Sequence, residues 1–158
     1  MDILEIKDLE TLAQKRVPKM FFDYVNSGSW TETTYNENIS DFQKIKLRQR
    51  VAIDMSNRTL ATKMVNQSVS MPVAIAPTGL TGMQRADGEI LAAQAAEEFG
   101  IPFTLSTMSV CSIEAVAEKT KKPFWFQLYV MKDKKFMARL IDRAKEAKCS
   151  ALVLTLDL

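Results

Sequence analysis

Phe124-Trp125-Phe126-Gln127-Leu128-Tyr129-Val130, and further on Ala151-Leu152-Val153-Leu154-Thr155-Leu156-Asp157-Leu158, are the two stretches on which the fold turns. Each is a short apolar run that ends in polar groups. Strands buried in a parallel sheet read as near-continuous hydrophobic runs, because both of their faces are covered. Gln127, Thr155 and Asp157 therefore need a reason to be where they are. Parallel sheets and barrels gather their chemistry at the carboxyl ends of the strands, which is where these groups lie.

The same rhythm extends upstream. Val73-Ala74-Ile75-Ala76 reads as a short strand running into Pro77-Thr78-Gly79. Asp87 is placed to cap a helix from Gly88 to Phe99, which Gly100 and Pro102 end. Phe103-Thr104-Leu105-Ser106 is the next strand, and Ser112 caps a helix with Ile113, Val116 and Ala117 on one face. A helix opened by Asp133, with Phe136, Met137, Leu140, Ile141 and Ala144 facing inward, leads to the final run. Nearer the N-terminus, Ile6, Leu9, Ala13 and Val17 keep a helical period, and Pro18 opens a second helix with Met20, Phe21, Tyr24 and Val25 on its apolar face and Gly28 as its C-terminal cap. Residues 31–70 are mixed and polar and read as loops with a small hairpin around Lys63-Met64-Val65 and Ser68-Val69-Ser70.

Strand and helix thus alternate, which means parallel strands joined by right-handed crossovers. The candidates are an open doubly wound sheet and half of an eight-stranded barrel. An open sheet would bind a nucleotide after its first strand through a Gly-x-Gly-x-x-Gly turn. The turn here, Gly79-Leu80-Thr81-Gly82-Met83, lacks that spacing. Four strands are half of eight, and the last run closes the sequence with no helix after it. The expectation is an α/β protein: the N-terminal half of a (β/α)8 TIM barrel preceded by short helices. Residues 1–158 would form one truncated domain, with helices and loops over 1–70 and the first four barrel strands over 71–158.

Composition narrows the function classes. With 158 residues, 47% of them hydrophobic and 25% charged, the chain has the make-up of a globular domain. Its net charge of +2 gives no electrostatic case for nucleic acid. The basic spots Lys119 to Lys122 and Lys132 to Lys135 sit at expected helix edges and read as solvated faces. Cys111 and Cys149 are isolated and the chain has no histidine, so no metal site is expected and a reducing cytosol suits the thiols. The acidic start Met1-Asp2-Ile3-Leu4-Glu5 lacks the plan of a signal peptide, and no apolar run approaches the roughly 20 residues that span a bilayer. The localisation expected is cytoplasmic, with peripheral attachment to the inner face of the cytoplasmic membrane as its variant. Histidine is the usual general base near neutral pH. Chemistry by this chain alone would need a carboxylate, Lys, Tyr or Cys instead.

The strand ends deliver Thr78 and Gly79, then Ser106 and Thr107, then Gln127 and Tyr129, then Thr155 and Asp157 to one rim. Alternation along a strand puts Gln127 with Tyr129, and Thr155 with Asp157, on shared faces that could hydrogen-bond a planar heteroaromatic ring or a small polar substrate. Bland readings stand beside these. Thr78 and Ser106 serve equally as turn or cap residues, and Gly79 as a tight-turn residue. Tyr129 could be a core aromatic, and on periodicity alone Tyr24 is core. Gln127 and Asp157 are harder to dismiss, since a buried amide needs several partners and a buried carboxylate without one costs several kcal/mol or neutralises.

Ser70-Met71-Pro72-Val73-Ala74-Ile75-Ala76-Pro77-Thr78-Gly79, Gly100-Ile101-Pro102-Phe103-Thr104-Leu105-Ser106-Thr107, Trp125-Phe126-Gln127-Leu128-Tyr129-Val130 and Leu154-Thr155-Leu156-Asp157 closely resemble the FMN-dependent α-hydroxy-acid dehydrogenase and oxidase family. The resemblance runs in order from about Leu9 to Leu158. Arg48-Gln49-Arg50 and the stretch from Ser106 to Glu114 look most like the bacterial respiratory L-lactate dehydrogenases within it. It implies FMN as cofactor, with Pro77, Thr78, Gly79 and Leu80 lying along the flavin and Ser106, Gln127 and Thr155 hydrogen-bonding its ring. Tyr24 resembles the group that holds the substrate carboxylate, and Tyr129 the one on the substrate hydroxyl side. Asp157 matches the carboxylate that orients a catalytic histidine. The implied partners are a small 2-hydroxy acid and a quinone or cytochrome electron acceptor, with the full-length protein a homo-oligomer. The family's His-x-x-Arg motif, flavin-contacting lysine and phosphate-binding strands have no counterpart here. The expected activity is therefore that of an L-2-hydroxy-acid dehydrogenase, with L-lactate as its expected substrate, of which this chain is an inert N-terminal fragment. The alternatives are a mandelate dehydrogenase, a glycolate or lactate oxidase, or a non-catalytic half-barrel. Met108 stands where glycolate oxidases carry a rim tryptophan, which leaves the preference among acids open.

Overall fold

A computed structural model describes residues 3–156, which divide into two compact units, one up to Arg58 and one from Thr59. The first unit is helical: α1 (Ile6–Arg16), α2 (Lys19–Asn26) and α3 (Thr33–Lys44). A reciprocal capping box between Glu5 and Asp8 opens α1. Pro18 is the N-cap of α2, where its missing N–H costs nothing. Two details differ from the sequence reading. The C-cap of α2 is Ser27 in an extended conformation, so Gly28 lies beyond the cap, and the buried face of the helix is Phe22, while Met20, Tyr24 and Val25 are exposed. The larger difference is α3, a helix inside a stretch expected to be loop and hairpin.

The second unit begins with a hairpin of β1 (Thr62–Met64) and β2 (Gln67–Val69), paired antiparallel with Met64 opposite Gln67. Val65 and Asn66, with φ of 46° and 62°, form its two-residue turn, the left-handed pair whose twist suits a tight hairpin. Next come α4 (Thr81–Gln84), α5 (Gly88–Phe99), β3 (Thr104–Leu105), α6 (Ile113–Lys119), β4 (Trp125–Leu128), α7 (Lys134–Glu146) and β5 (Ala151–Leu154). The sheet order β3-β4-β5 is parallel throughout. The expected strand over 73–76 is reduced to one parallel bridge between Ile75 and Phe103, held by the Ile75 N–H to Pro102 O and the Thr104 N–H to Ile75 O. Pro72 and Pro77 flank that segment and remove two ladder donors, which keeps the pairing short.

The caps explain why these helices start where they do. Ser112 accepts the Ala115 N–H at 3.1 Å, and Asp133 accepts those of Lys135 and Phe136 at 2.9 and 3.0 Å. Asp87 is the N-cap of α5 as expected, but it sits at φ 58° with no side-chain cap bond. Gly100, at φ 72°, ends α5 in the left-handed conformation that glycine adopts without strain. Register places Phe126 with Leu152 and Leu128 with Leu154 on one face of the sheet, and Gln127 with Val153 on the other. The first face carries the core: Leu105, Phe126 and Leu128 pack with Ala93 and Ala96 of α5, Ile113 and Val116 of α6, and Leu140 and Ala144 of α7. Burying one such large side chain contributes roughly 1.5–3 kcal/mol. The second face presents Gln127 at the carboxyl end of β4, and that end is where the candidate site forms.

Candidate site at the carboxyl ends of the strands

Gln127 is the centre of the site, 1% exposed and fixed by three neighbours. Its Oε1 accepts the Thr107 backbone N–H at 3.1 Å and the Ser106 hydroxyl at 3.3 Å, and its Nε2 donates to Thr155 Oγ1 at 2.8 Å. A backbone N–H can only donate, so the carbonyl oxygen must face Thr107 and the amide nitrogen must face Thr155. The amide orientation is thereby set by covalent structure. Thr107 Oγ1 donates to the Gln127 carbonyl at 2.6 Å and accepts the Tyr129 N–H at 3.3 Å, while the Met108 N–H donates to Ser106 Oγ at 3.0 Å. Three adjacent strand ends are thus laced into one network.

The consequence is a set of oriented donors. Thr155 Oγ1 accepts from Gln127, so its own proton is free to point away, and Gln127 Nε2 keeps a second N–H. Neutral donors at fixed positions suit the carbonyl and imine edge of a heteroaromatic ring. The strand-end segment Pro77, Thr78, Gly79 and Leu80 approaches from the first side: the Leu80 N–H donates to Met108 O at 2.9 Å, tying it to the loop after β3. Pro77, Gly79 and Leu80 are half-buried and Thr78 is exposed, with Thr78 O accepting the Thr81 hydroxyl at 3.1 Å. The left-handed residue of this turn is Leu80, at φ 55°; Gly79 has no positive φ. Tyr129 is half-buried just past β4. Tyr24 lies on α2 in the first unit, 57% exposed. Asp157 falls outside the described residues.

A buried carboxylate that the sequence reading passed over lies under these loops. Glu89, also 1% exposed, accepts the backbone N–H groups of Gly82 at 3.0 Å and Val110 at 2.9 Å, both on Oε1. Burial pushes its carboxyl up, but those two donors together with Cys111 and its own amide outweigh burial and hold it below the ordinary range. The Cys111 thiol beside it is pushed up, by burial first and then by that carboxylate. A glutamate in the first turn of a helix is ordinary, so nothing in its own position marks it. The signal was in the glycines around it: a Cβ on Gly88 would sit 2.7 Å from Thr81 O, and one on Gly82 would sit 2.6 Å from Val110 Cβ. Among the described residues there is no group of His, Cys, Asp and Glu that could hold a metal ion, and no helix is long and apolar enough to cross a membrane.

The chain is thus an α/β protein whose parallel strands present fixed neutral donors at their carboxyl ends. The chain belongs to the FMN-dependent dehydrogenase family, whose sequence profile it matches over residues 13–158. It is 52% identical over 151 residues to an L-lactate dehydrogenase of Acinetobacter baumannii, covering 96% of this chain and 39% of that protein. It is 49% identical over 158 residues to the L-lactate dehydrogenase of Acinetobacter baylyi, covering 100% of this chain and 41% of that one. The chain therefore spans about two fifths of the length of these relatives. Among solved structures, a soluble mutant of the membrane-associated (S)-mandelate dehydrogenase from Pseudomonas putida superimposes with a TM-score of 0.93 at 36% identity, over 99% of this chain and 45% of that one. A mandelate oxidase superimposes with a TM-score of 0.88 at 32% identity, over 96% and 44% of the two chains.

Proposed function

We propose that the full-length protein carrying this chain is an FMN-dependent L-2-hydroxy-acid dehydrogenase that oxidises L-lactate to pyruvate. Residues 1–158 would belong to one catalytic domain and supply the short N-terminal helices and the first four strands of its (β/α)8 barrel. The observation that carries this reading is the Gln127 amide, buried and locked so that it and Thr155 present donors at the strand ends. The names of the Acinetobacter relatives support lactate as the substrate.

The residues present fit the flavin ring. Ser106, Gln127 and Thr155 would hold its polar edge, and Pro77, Thr78, Gly79 and Leu80 would lie along it. FMN, when bound, accepts the two electrons released as the substrate hydroxyl becomes a ketone. By the family resemblance Tyr24 would hold the substrate carboxylate; Tyr129, just past β4, would meet the hydroxyl side of the substrate and help keep the carbon to be oxidised in one orientation. The hydroxyl hydrogen and the carbon-bound hydrogen must both leave with those electrons, whether by a carbanion or a hydride route, and this chain has no histidine to take a proton. Asp157 would orient and charge-stabilise an imidazole supplied by the remainder of the full-length protein, since a fixed anion favours the imidazolium. The final acceptor of those electrons would be a quinone or cytochrome. A cytoplasmic protein attached peripherally to the inner face of the membrane, assembled as a homo-oligomer, fits that acceptor.

The test is a substrate and acceptor panel on the purified full-length protein. L-lactate-dependent dye reduction, with little oxygen consumption and a bound chromophore released as FMN, is the expected result. The second reading, a mandelate dehydrogenase, is favoured by the Pseudomonas putida superposition and is distinguished by faster turnover of (S)-mandelate. Absence of FMN from the folded protein would sink both.

A further inference from the structure

The Glu89 carboxylate links two loops that otherwise meet through a single backbone hydrogen bond among those described. Gly82 closes the segment that begins at Pro77, and Val110 lies on the loop that follows Ser106. One oxygen accepts from both, at 3.0 and 2.9 Å, and the other bond between the loops is the Leu80 N–H to Met108 O. The second oxygen, Oε2, is buried and has no hydrogen-bond partner among the described residues. The Cβ that Gly82 lacks would come within 3.1 Å of that oxygen, so the loop backbone lies directly against the carboxylate. On the other side, Gly88 lets the start of α5 press onto the Thr81 backbone, where a Cβ would sit 2.7 Å from the carbonyl oxygen. Two glycines and one carboxylate therefore fix how the loops close over the helix end.

We propose that Glu89 is a positioning residue for the cofactor, holding the 77–82 and 106–111 loops at the spacing the flavin ring requires. This rests on the reading of Pro77, Thr78, Gly79, Leu80 and Ser106 as flavin contacts. Glu89 touches neither ring nor substrate and acts through the backbones of Gly82 and Val110. Burying a carboxylate is unfavourable unless it is well bonded. An apolar side chain in the same place would leave the amides of both loops without an acceptor, so the carboxylate is what joins them.

The experiment compares Glu89→Ala and Glu89→Asp with the unchanged full-length protein. Glu114→Ala serves as a control, because Glu114, although only four residues past Val110, pairs with Arg143 of α7 on the exposed surface and accepts from neither Gly82 nor Val110. FMN dissociation is read by recovery of flavin fluorescence, and amide hydrogen exchange is read at Gly82 and Val110 in the flavin-free protein. Loss of supporting groups around metal sites weakens binding by about 10- to 100-fold, and a comparable loss of FMN affinity is expected for Glu89→Ala. Exchange at the two amides should accelerate, while Glu114→Ala changes neither quantity. If Glu89→Ala fails to fold, Glu89→Asp decides: it keeps the charge but is one methylene too short to reach both amides, so it too should bind FMN more weakly. Wild-type FMN affinity in whichever variant folds overturns the proposal and leaves the function standing. If the unchanged protein binds no FMN, the functional reading falls and the positioning role falls with it.

Discussion

At Gln127 a single side chain satisfies two donors at the end of β3 and supplies one to the end of β5, so its replacement has two separable effects. Gln127→Leu fills much the same volume but leaves the Thr107 N–H without its acceptor. Such a loss costs about 1–3 kcal/mol, visible in a chemical denaturation curve. The same change should weaken FMN binding by about tenfold or more, equivalent to roughly 1.4 kcal/mol. Thr155→Val removes the outward donor and also the acceptor of Gln127 Nε2, so it should lower FMN affinity and cost about 1–3 kcal/mol in the same denaturation curve. Equal FMN binding by both variants and the unchanged protein would remove these side chains from the site. At this scale the sequence was informative about Gln127, because an amide set among Trp125, Phe126 and Leu128 requires partners. It placed Thr107 on the rim but not in its role, the backbone N–H and hydroxyl that cross-link β3 and β4, for which a rim threonine has no sequence mark. Glu89 was hidden for the opposite reason, since its position looked conventional.

Among the elements, α6 and α7 are joined at the surface by a two-pronged ion pair, Arg143 Nε and Nη2 to the two oxygens of Glu114 at 2.7 and 2.8 Å. Arg143 holds the Glu114 carboxyl down at about 2. The folded value lies below the roughly 4.3 of an unfolded chain. The pair's contribution is therefore complete above that unfolded value and is lost as the pH falls toward the folded one. Both side chains are partly exposed, so the expected coupling in a Glu114→Ala, Arg143→Ala double-mutant cycle is only about 0.2–1 kcal/mol. It should shrink between about pH 5 and about pH 3. A coupling that stays constant over that interval would contradict the assignment. The helices carrying this pair were legible because Ser112 and Asp133 announce their starts and apolar residues recur at helical spacing. The α3 helix was not, because Thr-Thr-Tyr-Asn-Glu-Asn-Ile-Ser-Asp-Phe-Gln-Lys has few apolar positions, and those it has, Ile39 and Phe42, are exposed. Its N-cap, Glu32, sits left-handed with no side-chain cap bond, so the usual start signal is missing as well.

For the molecule as a whole, the sheet order leaves β5 paired on one side only among the described residues, with Leu152 and Leu154 exposed on it and Leu156 exposed just beyond it. An open strand edge with an apolar face invites association. Expressed as these 158 residues alone, the protein should self-associate in sizing chromatography and show no lactate-dependent dye reduction. Leu154→Lys, which puts a charge on that face, should shift the profile toward the monomer. A clean monomer from the unaltered chain, or measurable turnover by it, would contradict these expectations. The chain has two tryptophans, and they occupy opposite extremes: Trp30, in the N-terminal unit, is 98% exposed, whereas Trp125, in the second, is buried with its indole N–H unpartnered among the described residues. The protein thus carries its own two-colour optical gauge. Trp30 emits at the red, iodide-quenchable end of the spectrum and Trp125 at the blue, shielded end. As denaturant rises, the Trp125 colour should move to the red as the second unit melts, while Trp30, already in water, should hardly change and serves as the internal reference.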